Sequence, residues 1–434
     1  MKEIIKSVIT DFHKSLKPIQ IDRNLSVPID SQKIITIIGA RRSGKTFYLY
    51  QIMNNLPVNV KREDIIYINF EDERLNLKTE ALHLIIESYY ELYPDNKNPL
   101  YFFFDEIQNI EHWEKFVRRI YDTVSKNIII TGSSSRLLSK EIATSLRGRS
   151  ISYELYPLRF NEYLKFKNVD AGDLHSTRNK GRLAKAFHEY LFVGGFPEIV
   201  HYNKELRTKT LQSYLDVMIY RDIIERHDIK NPTALKYFIN KSLSNVSNYL
   251  SVNKLFNELK SSGIRISKDS IYEYINHVND CYLMFLVNLY SESINIQNTN
   301  DKKLYCIDNG LANTVAFKFS EDKGRLLENL VHLHLKAAGK SVYYFTDRRE
   351  CDFVLLEGLK VLMAIQVTAE LNASNKEREV EGLMEAMRYF KIKDGIILTL
   401  DQTEEIVSEN KRIRIVPAWR WMLESNDNLS SIQN

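Results

Sequence analysis

The chain has 434 residues, 44% hydrophobic and 27% charged, which is typical of a globular protein with two or three domains. The net charge is only +4, so composition gives no global case for a nucleic-acid-binding protein, although a local basic groove stays open. Three isolated cysteines argue against a disulfide framework and favour a reducing compartment. No apolar run reaches the length of a membrane span, so we expect a cytoplasmic protein that does not contact a membrane.

A phosphate-binding loop is the first motif along the chain. An amphipathic helix is predicted over residues 1–17, and a β-branched apolar strand over 33–38. The next eight residues read G-x-x-x-x-G-K-T: Gly39, Ala40, Arg41, Arg42, Ser43, Gly44, Lys45 and Thr46. The glycines let successive N–H groups face phosphates, and the helix that follows adds the positive end of its dipole. We therefore predict that this loop binds ATP, with Lys45 on the β- and γ-phosphates and the Thr46 hydroxyl on Mg²⁺.

Two acidic residues end a later apolar strand. From residue 33 to about 158 strand and helix patterns alternate, which indicates a parallel sheet covered by helices on both faces. The strand at 100–104 runs directly into Asp105 and Glu106. We expect Asp105 to reach Mg²⁺ beside the loop and Glu106 to hold and deprotonate the attacking water. The alternative is a strand that ends in two solvated acids.

Two further groups of side chains are candidates for the same site. The strand at 127–130 leads to the same predicted edge, where Ser133 and Ser134 could sense the γ-phosphate or hold the water. Capping of the next helix by Ser134 is equally open. Arg147 and Arg149 could stabilise the charge that develops in phosphoryl transfer, either in cis or in a neighbouring subunit of a homo-oligomer. Their alternative role is to complement the dipole at a helix C-terminus.

Beyond residue 159 the pattern becomes helical and then returns to α/β. A long helix over 206–225, three shorter helical segments and apolar strands at 284–290 and 304–307 outline a winged helix, with a polar loop at 293–301. A second, smaller α/β unit follows a boundary near residue 316. The predicted divisions are an ATPase core at 1–160, a helical lid at 161–230, a winged-helix section at 231–315, a C-terminal domain at 316–424 and a tail at 425–434. His332 and His334, two apart on a predicted helix, are expected at the surface.

The assembled motifs resemble the AAA-type ATPases whose C-terminal domain is of the DUF4143 kind. The similarity rests on residues 39–46, 102–108, 131–135, 146–149, 158–163 and a Gly-Gly-Phe-Pro segment at 193–198, and it covers nearly the whole chain. Residues 364–367 and 417–419 are similar to a branch common in archaea. The resemblance implies an α/β fold: a P-loop NTPase sheet of the AAA type with a helical lid, a winged helix and a restriction-endonuclease-like C-terminal domain related to the PD-(D/E)xK nucleases.

That nuclease resemblance implies a second, degenerate site. A helix glutamate, a strand aspartate and an E-x-K motif on the next strand gather Mg²⁺ and a water in such nucleases. Glu328 and Asp352 match the first two positions, whereas Gln366 and Thr368 replace the glutamate and the lysine. Gln366 keeps an oxygen but loses the charge, and Thr368 removes the ammonium. We therefore expect a scaffold that binds without cleaving, although Lys376 from the next helix could still supply a cation.

Three functions remain open from the sequence. The first is an ATP-driven switch or motor whose winged helix and C-terminal domain bind a partner, either DNA or RNA or a protein, without cutting it. The second is an ATP-dependent nuclease, and the third is a signalling ATPase that acts only through protein contacts. The predicted recognition helix at 268–283 is not cationic, but Tyr272, Tyr274 and Asn276 on it could touch bases.

Overall fold

The computed structural model describes residues 1–16, 18, 21–133, 145–174, 176–315, 322–358 and 360–424. The chain divides into two compact units, Met1–Tyr156 and Pro157–Asn434. The predicted boundary at residue 316 and the predicted tail at 425–434 lie outside the described residues. Each unit has its own sheets and its own buried core, so each is described by itself.

The first unit is built on a five-stranded sheet in the order β2-β3-β4-β1-β5. Every neighbouring pair of these strands is parallel, so all the carboxyl ends lie at one edge. The strands are β1 Ile34–Ile38, β2 Ile65–Asn69, β3 Tyr101–Asp105, β4 Asn127–Gly132 and β5 Ser150–Glu154. The helices among the described residues of this unit are Lys2–Lys14, Lys45–Asn54, His83–Leu92 and Trp113–Thr123. The predicted parallel α/β architecture is confirmed.

The sheet of the first unit is buried because its central strands are apolar on both faces. All five residues of β1 are buried, and three consecutive phenylalanines of β3, Phe102 to Phe104, are fully excluded from solvent. Helices cover such a sheet on both sides, as expected for parallel strands. The predicted N-terminal amphipathic helix forms, and its Phe12 joins the core beside β1. The outer strand β5 was not predicted, since its residues are only partly buried and its polar side chains break the apolar pattern.

The second unit begins with helices and a small antiparallel sheet. Its first helices are Phe160–Phe166, Thr177–Val193, Lys204–Val217, Pro232–Leu243, Val252–Ser261 and Lys268–Asp280. The predicted helix at 206–225 is α-helical only to Val217, and Met218–Glu225 continues it as a π-helix. Three strands follow in the order β6-β8-β7: β6 Asn248–Leu250, β7 Met284–Val287 and β8 Lys302–Cys306. The winged-helix assignment of this section stays a prediction.

The polar loop predicted between the last two of these strands is partly wrong. Residues Ile294–Thr299 form a short helix, because the Ser293 side chain accepts from the backbone N–H of Ile296 and caps its first turn. Six residues carry too little periodicity to identify a helix from the sequence. The three-residue strand β6 escaped prediction for the same reason.

The C-terminal part of the second unit is a mixed six-stranded sheet in the order β13-β14-β12-β11-β10-β9. The strands are β9 Ser341–Thr346, β10 Glu350–Glu357, β11 Lys360–Val367, β12 Asp394–Thr399, β13 Glu404–Ser408 and β14 Lys411–Pro417. The helices are Asn309–Val315, Lys323–Ala337, Lys376–Tyr389 and Ala418–Glu424. Strands β9 to β11 are antiparallel, whereas β11, β12 and β14 run parallel. The C-terminal α/β sheet domain expected from the sequence is therefore present.

The prediction that His332 and His334 lie on a helix surface is wrong. Both rings are buried, because the helix Lys323–Ala337 packs on more than one side. The His332 ring stacks on Tyr305 with centroids 4.1 Å apart, and the His334 ring lies 5.0 Å from that of Trp421. Burial lowers the pKa of both imidazoles, in the case of His334 to about 3. They are core side chains that stay neutral at physiological pH.

The Gly-Gly-Phe-Pro segment is tied to a buried aspartate. The N–H of Gly195 donates to Oδ2 of Asp308 at 2.6 Å, and the N–H of Leu311 donates to Oδ1 at 3.1 Å. Gly194 has a φ of +84°, and a Cβ there would lie 2.2 Å from the Asp308 carboxylate. Only glycine fits this backbone conformation and this close approach. The motif therefore fixes the end of the helix Thr177–Val193 in the core of the second unit.

Candidate functional site

The phosphate-binding loop lies between β1 and the helix Lys45–Asn54, at the carboxyl edge of the parallel sheet. A Cβ on Gly39 would lie 2.1 Å from the carbonyl oxygen of Leu155, so no larger residue fits there. Gly44 has a φ of +95° and directly precedes the helix. These two glycines are the fixed ones of the sequence motif, and each is required by the local geometry. The loop leaves the helix N-terminus directed at the place where phosphates are expected.

Lys45 is folded back over the loop. Its ammonium lies 3.2 Å from Oε1 of Glu106 and donates to the carbonyl oxygens of Gly39 and Ala40, also at 3.2 Å. Only 4% of the side chain is exposed. A positive charge held so close to the loop backbone is placed to meet the phosphates of a nucleotide.

Asp105, at the end of β3, collects three hydroxyl groups. Thr46 donates to Oδ2 at 2.7 Å, Tyr67 donates to the same oxygen at 3.1 Å, and Thr131 donates to Oδ1. Burial raises the pKa of this carboxyl, and the hydrogen bonds from Thr131 and Thr46 oppose that rise. The Thr46 hydroxyl and the Asp105 carboxylate are hard oxygen donors in direct contact, which fits the ligand preference of Mg²⁺. The predicted pair is thus brought together.

Glu106 has the geometry of a constrained functional residue. Its φ is +52°, a left-handed conformation that is uncommon for a residue other than glycine. Its backbone N–H donates to Oγ1 of Thr131 at 2.9 Å, and Nε2 of Gln108 donates to its Oε2. Burial opposes ionisation of Glu106, but Lys45 and the hydrogen bond from Gln108 outweigh it and hold the pKa below its usual value. The carboxylate is therefore ionised and fixed beside Lys45.

Hydroxyl side chains at the end of β4 and directly after it lie near the two acidic residues. Ser133 is buried and its Oγ accepts from Nε2 of Gln108 at 3.3 Å, so it reaches Glu106 only through Gln108. Ser134 lies outside the described residues. Thr131, which the sequence interpretation did not single out, contacts both acidic residues. Its position at the end of β4, level with Asp105 on β3, is the signal that could have identified it.

The four arginines of the candidate set lie in two places. Arg41 pairs with Glu71 at 3.0 Å on the loop, and Arg42 is exposed beside it. Arg149 directly precedes β5, and its carbonyl accepts from the N–H of Ile34 at the start of β1. Arg147 is exposed in the preceding turn.

The pair Arg147 and Arg149 thus lies at the amino edge of the sheet, whereas the loop lies at the carboxyl edge. The five residues of β1 separate the two edges by roughly 16 Å. Arg149 is moreover paired with Asp122 at 3.2 Å. This placement does not fit the cis alternative, and the action on a neighbouring subunit stays a prediction.

The C-terminal candidates are only partly brought together. Glu328 and Asp352 both contact one ammonium, that of Lys303 on β8, at 3.0 and 2.8 Å. Gln366 lies beside Asp352, whose N–H donates to its Oε1 at 3.2 Å. Thr368 is directed elsewhere, since its hydroxyl donates to the carbonyl of Glu370.

Lys376 does not supply the missing cation. It pairs at an exposed position with Glu404 at 2.8 Å. The cation in the cluster is instead Lys303, which sequence reasoning missed together with Glu350 and Glu379. Lys303 precedes Asp352 by 49 residues and belongs to a different sheet, so no local pattern connects them. Among the residues that the structure describes, no group of His, Cys, Asp or Glu side chains is arranged to hold a metal ion.

Of the three residues expected to touch bases, two are exposed and one is buried. On the helix Lys268–Asp280, Tyr272 is 55% exposed and Asn276 is exposed. Tyr274 is buried, and its hydroxyl donates to the carbonyl of Asn231 at 3.2 Å. The expectation for Tyr274 is therefore wrong, because its place on the helix faces the core.

Comparisons with known proteins find family models and relatives that match most of the chain. A family described as "AAA domain" matches residues 31–164, and the "Domain of unknown function (DUF4143)" matches residues 323–421. A "Domain of unknown function (DUF8612)" matches residues 184–322 between them. An uncharacterised protein of Methanocaldococcus jannaschii is 40% identical over 97% of this chain and 96% of its own length. An uncharacterised protein of Haemophilus influenzae is 30% identical over 91% of this chain and 95% of its own length.

Two solved structures have a partial similarity to this chain. A Walker-type ATPase of Pyrococcus abyssi has a TM-score of 0.41 at 14% identity, over 73% of this chain and 95% of that one. The Orc1 protein of Aeropyrum pernix in complex with DNA has a TM-score of 0.28 at 13% identity, over 72% of this chain and 91% of that one. Within the described ranges, no helix has both the length and the apolar character needed to cross a bilayer.

Proposed function

Because the chain belongs to the AAA-type P-loop ATPases that carry a C-terminal DUF4143 domain, we propose that it binds ATP with Mg²⁺ and hydrolyses it slowly. The observation that carries this proposal is the contact of Lys45, Thr46, Asp105 and Glu106 at one edge of one sheet. A lysine, a hydroxyl, a metal-binding carboxylate and a second carboxylate are the set that phosphoryl transfer requires.

Each side chain has a separate role in the proposed reaction. The loop backbone and Lys45 bind and orient the phosphates, and Thr46 and Asp105 would hold Mg²⁺. Bound Mg²⁺ would neutralise charge on the phosphates. Glu106 orients the attacking water and accepts its proton. Thr131 supports both acids at once, since it contacts the Asp105 carboxylate and the Glu106 backbone.

We further propose that the nucleotide state is coupled to the winged-helix section and the C-terminal domain, which bind a partner without cleaving it. Exposed Tyr272 and Asn276 on the helix Lys268–Asp280 leave a nucleic acid or a protein as the partner. Gln366 and Thr368 at the positions of a nuclease glutamate and lysine argue against cleavage. A proposed homo-oligomer would allow Arg147 or Arg149 to act on a neighbour.

The test of the ATPase proposal is a set of binding and turnover measurements on the purified chain. Lys45→Ala should abolish nucleotide binding, whereas Glu106→Gln should bind ATP but not hydrolyse it. Asp122→Asn, at the opposite edge of the sheet, is the matched control for loss of a paired charge. Unchanged nucleotide affinity in Lys45→Ala would refute the site. Adding DNA or RNA to the wild-type assay then shows which partner class stimulates turnover.

The test of the non-cleaving role is a nuclease assay with labelled single- and double-stranded DNA and RNA in the presence of Mg²⁺ or Mn²⁺. We expect no cleavage above background. Cleavage that disappears in Asp352→Ala would instead support the nuclease alternative, and repeating the assay with and without ATP would show whether that cleavage depends on ATP. The two tests have separate readouts: the first measures ATP binding and turnover by the first unit, and the second measures nucleic-acid cleavage by the second unit.

A further inference from the structure

The carboxylates of the C-terminal cluster surround a lysine. The Lys303 ammonium lies 2.5 Å from Glu350, 2.8 Å from Asp352 and 3.0 Å from Glu328. The Tyr305 hydroxyl donates to the same Glu328 oxygen at 2.7 Å. Three acids from one helix and one strand therefore converge on a single positive charge, as acids converge on a metal ion in the nucleases that the sequence resembles.

Lys303 donates hydrogen bonds to Glu328 and Asp352 and forms a third ion pair with Glu350. An ammonium has three N–H donors and no acceptor, and Lys303 has three carboxylate partners. Its side chain is only 3% exposed, and those of Asp352 and Glu328 are 8% and 11% exposed. Burial by itself would lower the pKa of Lys303, but Asp352 and Glu328 raise it well above the usual value. The group is therefore a permanent cation.

We propose that Lys303 is a built-in replacement for the divalent metal ion, so that the C-terminal domain is metal-independent. A dication cannot enter while the ammonium occupies the centre of the carboxylates, since the two positive charges would compete for the same oxygens. The remaining cluster is also charge-paired: Gln366 donates to Glu379 at 2.6 Å, and Arg378 pairs with the other Glu379 oxygen at 2.5 Å. This inference does not depend on ATP hydrolysis.

The competing interpretation is that Lys303 is a catalytic lysine supplied from another strand. A catalytic lysine must reach a water or a phosphate oxygen. Lys303 is held by three carboxylates, and its side chain is only 3% exposed, so a phosphodiester does not reach the ammonium. The arrangement favours a structural cation over a catalytic one.

The replacement also joins two parts of the second unit. Lys303 belongs to β8 of the three-stranded sheet, whereas Glu350 and Asp352 belong to β10 of the six-stranded sheet. The same junction includes the Tyr249 hydroxyl on Glu350 and the Cys306 N–H on Asn329 at 2.9 Å. A metal ion lost to a chelator would release such a junction, but a covalently attached ammonium cannot be removed.

The experiment measures Mn²⁺ binding by full-length protein that contains Asp105→Asn, which removes the carboxylate proposed to hold Mg²⁺ at the phosphate site. Mn²⁺ is the probe because it accepts the same oxygen ligands as Mg²⁺ and can be followed by paramagnetic resonance. With Lys303 intact we expect no specific Mn²⁺ binding and a Tm that EDTA does not change. Lys303→Ala should bind one Mn²⁺ per chain, with an affinity at least tenfold higher than that of the protein with Lys303 intact. Mn²⁺ should also raise the Tm of Lys303→Ala by several degrees.

Two further variants complete the design. Lys302→Ala, one residue away on the same strand, should bind no Mn²⁺, and Lys303→Ala/Asp352→Asn should lose the new binding. If Lys303→Ala folds only when Mn²⁺ is added, that rescue supports the proposal equally. A folded Lys303→Ala that binds no Mn²⁺ overturns it. So does specific Mn²⁺ binding with Lys303 intact that Asp352→Asn abolishes, a result that needs no Lys303 variant to fold.

Discussion

The ammonium of Lys45 lies 3.2 Å from the carboxylate of Glu106, so the phosphate-binding lysine and the proposed general base form an ion pair. The pair is buried, and it keeps the pKa of Glu106 low. A nucleotide must therefore compete with Glu106 for Lys45. Once the phosphates take the lysine, the pKa of Glu106 should rise toward its ordinary value, which makes the carboxylate a better base when substrate is present.

The first prediction concerns the affinity of Glu106→Gln for ATP. Because the neutral amide no longer holds Lys45 as strongly, the variant should bind ATP roughly two- to tenfold more tightly than wild type while losing turnover. Fluorescent-nucleotide titration measures the change in Kd. Asp122→Asn, which removes a paired carboxylate at the opposite edge, should leave Kd unchanged. Equal or weaker affinity in Glu106→Gln would contradict the competition.

The second prediction concerns Thr131. Replacing it by valine keeps the shape but removes the donor to Asp105 and the acceptor for the Glu106 N–H. Two buried polar groups lose a partner, so the free energy of unfolding should fall by about 1–3 kcal/mol. Turnover should fall more than nucleotide affinity. Denaturant unfolding measures the stability, and steady-state ATPase assays measure turnover. Thr131→Ser, which keeps the hydroxyl, should retain most of the wild-type stability and turnover. A fully active Thr131→Val would show that the threonine does not position the acids.

The third prediction concerns the arginines before β5. If Arg147 or Arg149 completes a neighbour's site, Arg147→Ala or Arg149→Ala protein mixed with Glu106→Gln protein should recover activity that neither has alone. A mixed assembly pairs an intact Glu106 with an intact arginine from the next subunit. ATPase activity is measured as a function of mixing ratio and concentration. A monomer with full ATPase at every concentration would exclude the action in trans.

The fourth prediction compares two glycines of the same helical region. Gly194→Ala should destabilise the protein by about 1–3 kcal/mol or more, since its Cβ would collide with Asp308 at a positive φ. Gly181→Ala, inside the exposed part of the helix Thr177–Val193, meets nothing within 4 Å. It should instead stabilise by up to about 1 kcal/mol. Thermal unfolding of both variants distinguishes a local clash at Gly194 from a general intolerance of substitution in this region. An equal change in Tm in the two variants would contradict the clash with Asp308.

The fifth prediction concerns pH and Asp308. Burial raises the pKa of this carboxyl from an ordinary value of 3.8 to about 7, although backbone N–H groups of Gly195 and Leu311 oppose the rise. Between those values the folded chain keeps a proton that the unfolded chain has lost. Raising the pH from 4 to 7 should therefore lower the free energy of unfolding, by at most about 4 kcal/mol, and the loss should level off above pH 7.

The measurement for Asp308 is denaturant unfolding at a series of pH values. Asp308→Asn carries an amide that does not titrate, so its decline in stability with pH should be smaller than that of the wild type. Exposed Asp347→Asn should follow the wild-type curve. A wild-type slope that persists unchanged in Asp308→Asn would assign the decline to other groups.

The phosphate site could be predicted from the sequence because its parts are local patterns. Gly39 to Thr46 are contiguous, and Asp105 and Glu106 directly follow an apolar strand. Parallel strands carry their carboxyl ends to one edge, so the pairing of Thr46 with Asp105 follows from fold class alone. The role of Thr131 needed the register of β4 against β3, which no periodicity reveals.

What only the tertiary structure decided is how distant polar residues pair. By itself the sequence determined the loop, the acids and the order of strands and helices, since these depend on neighbours a few residues apart. The resemblance to the PD-(D/E)xK nucleases implied that Glu328 and Asp352 share a site, and Lys376 was the cation considered for it. The fold instead brings Lys303 from another sheet to both acids. A buried charge must find its counter-ion wherever packing brings one, and that partner has no fixed spacing in the chain.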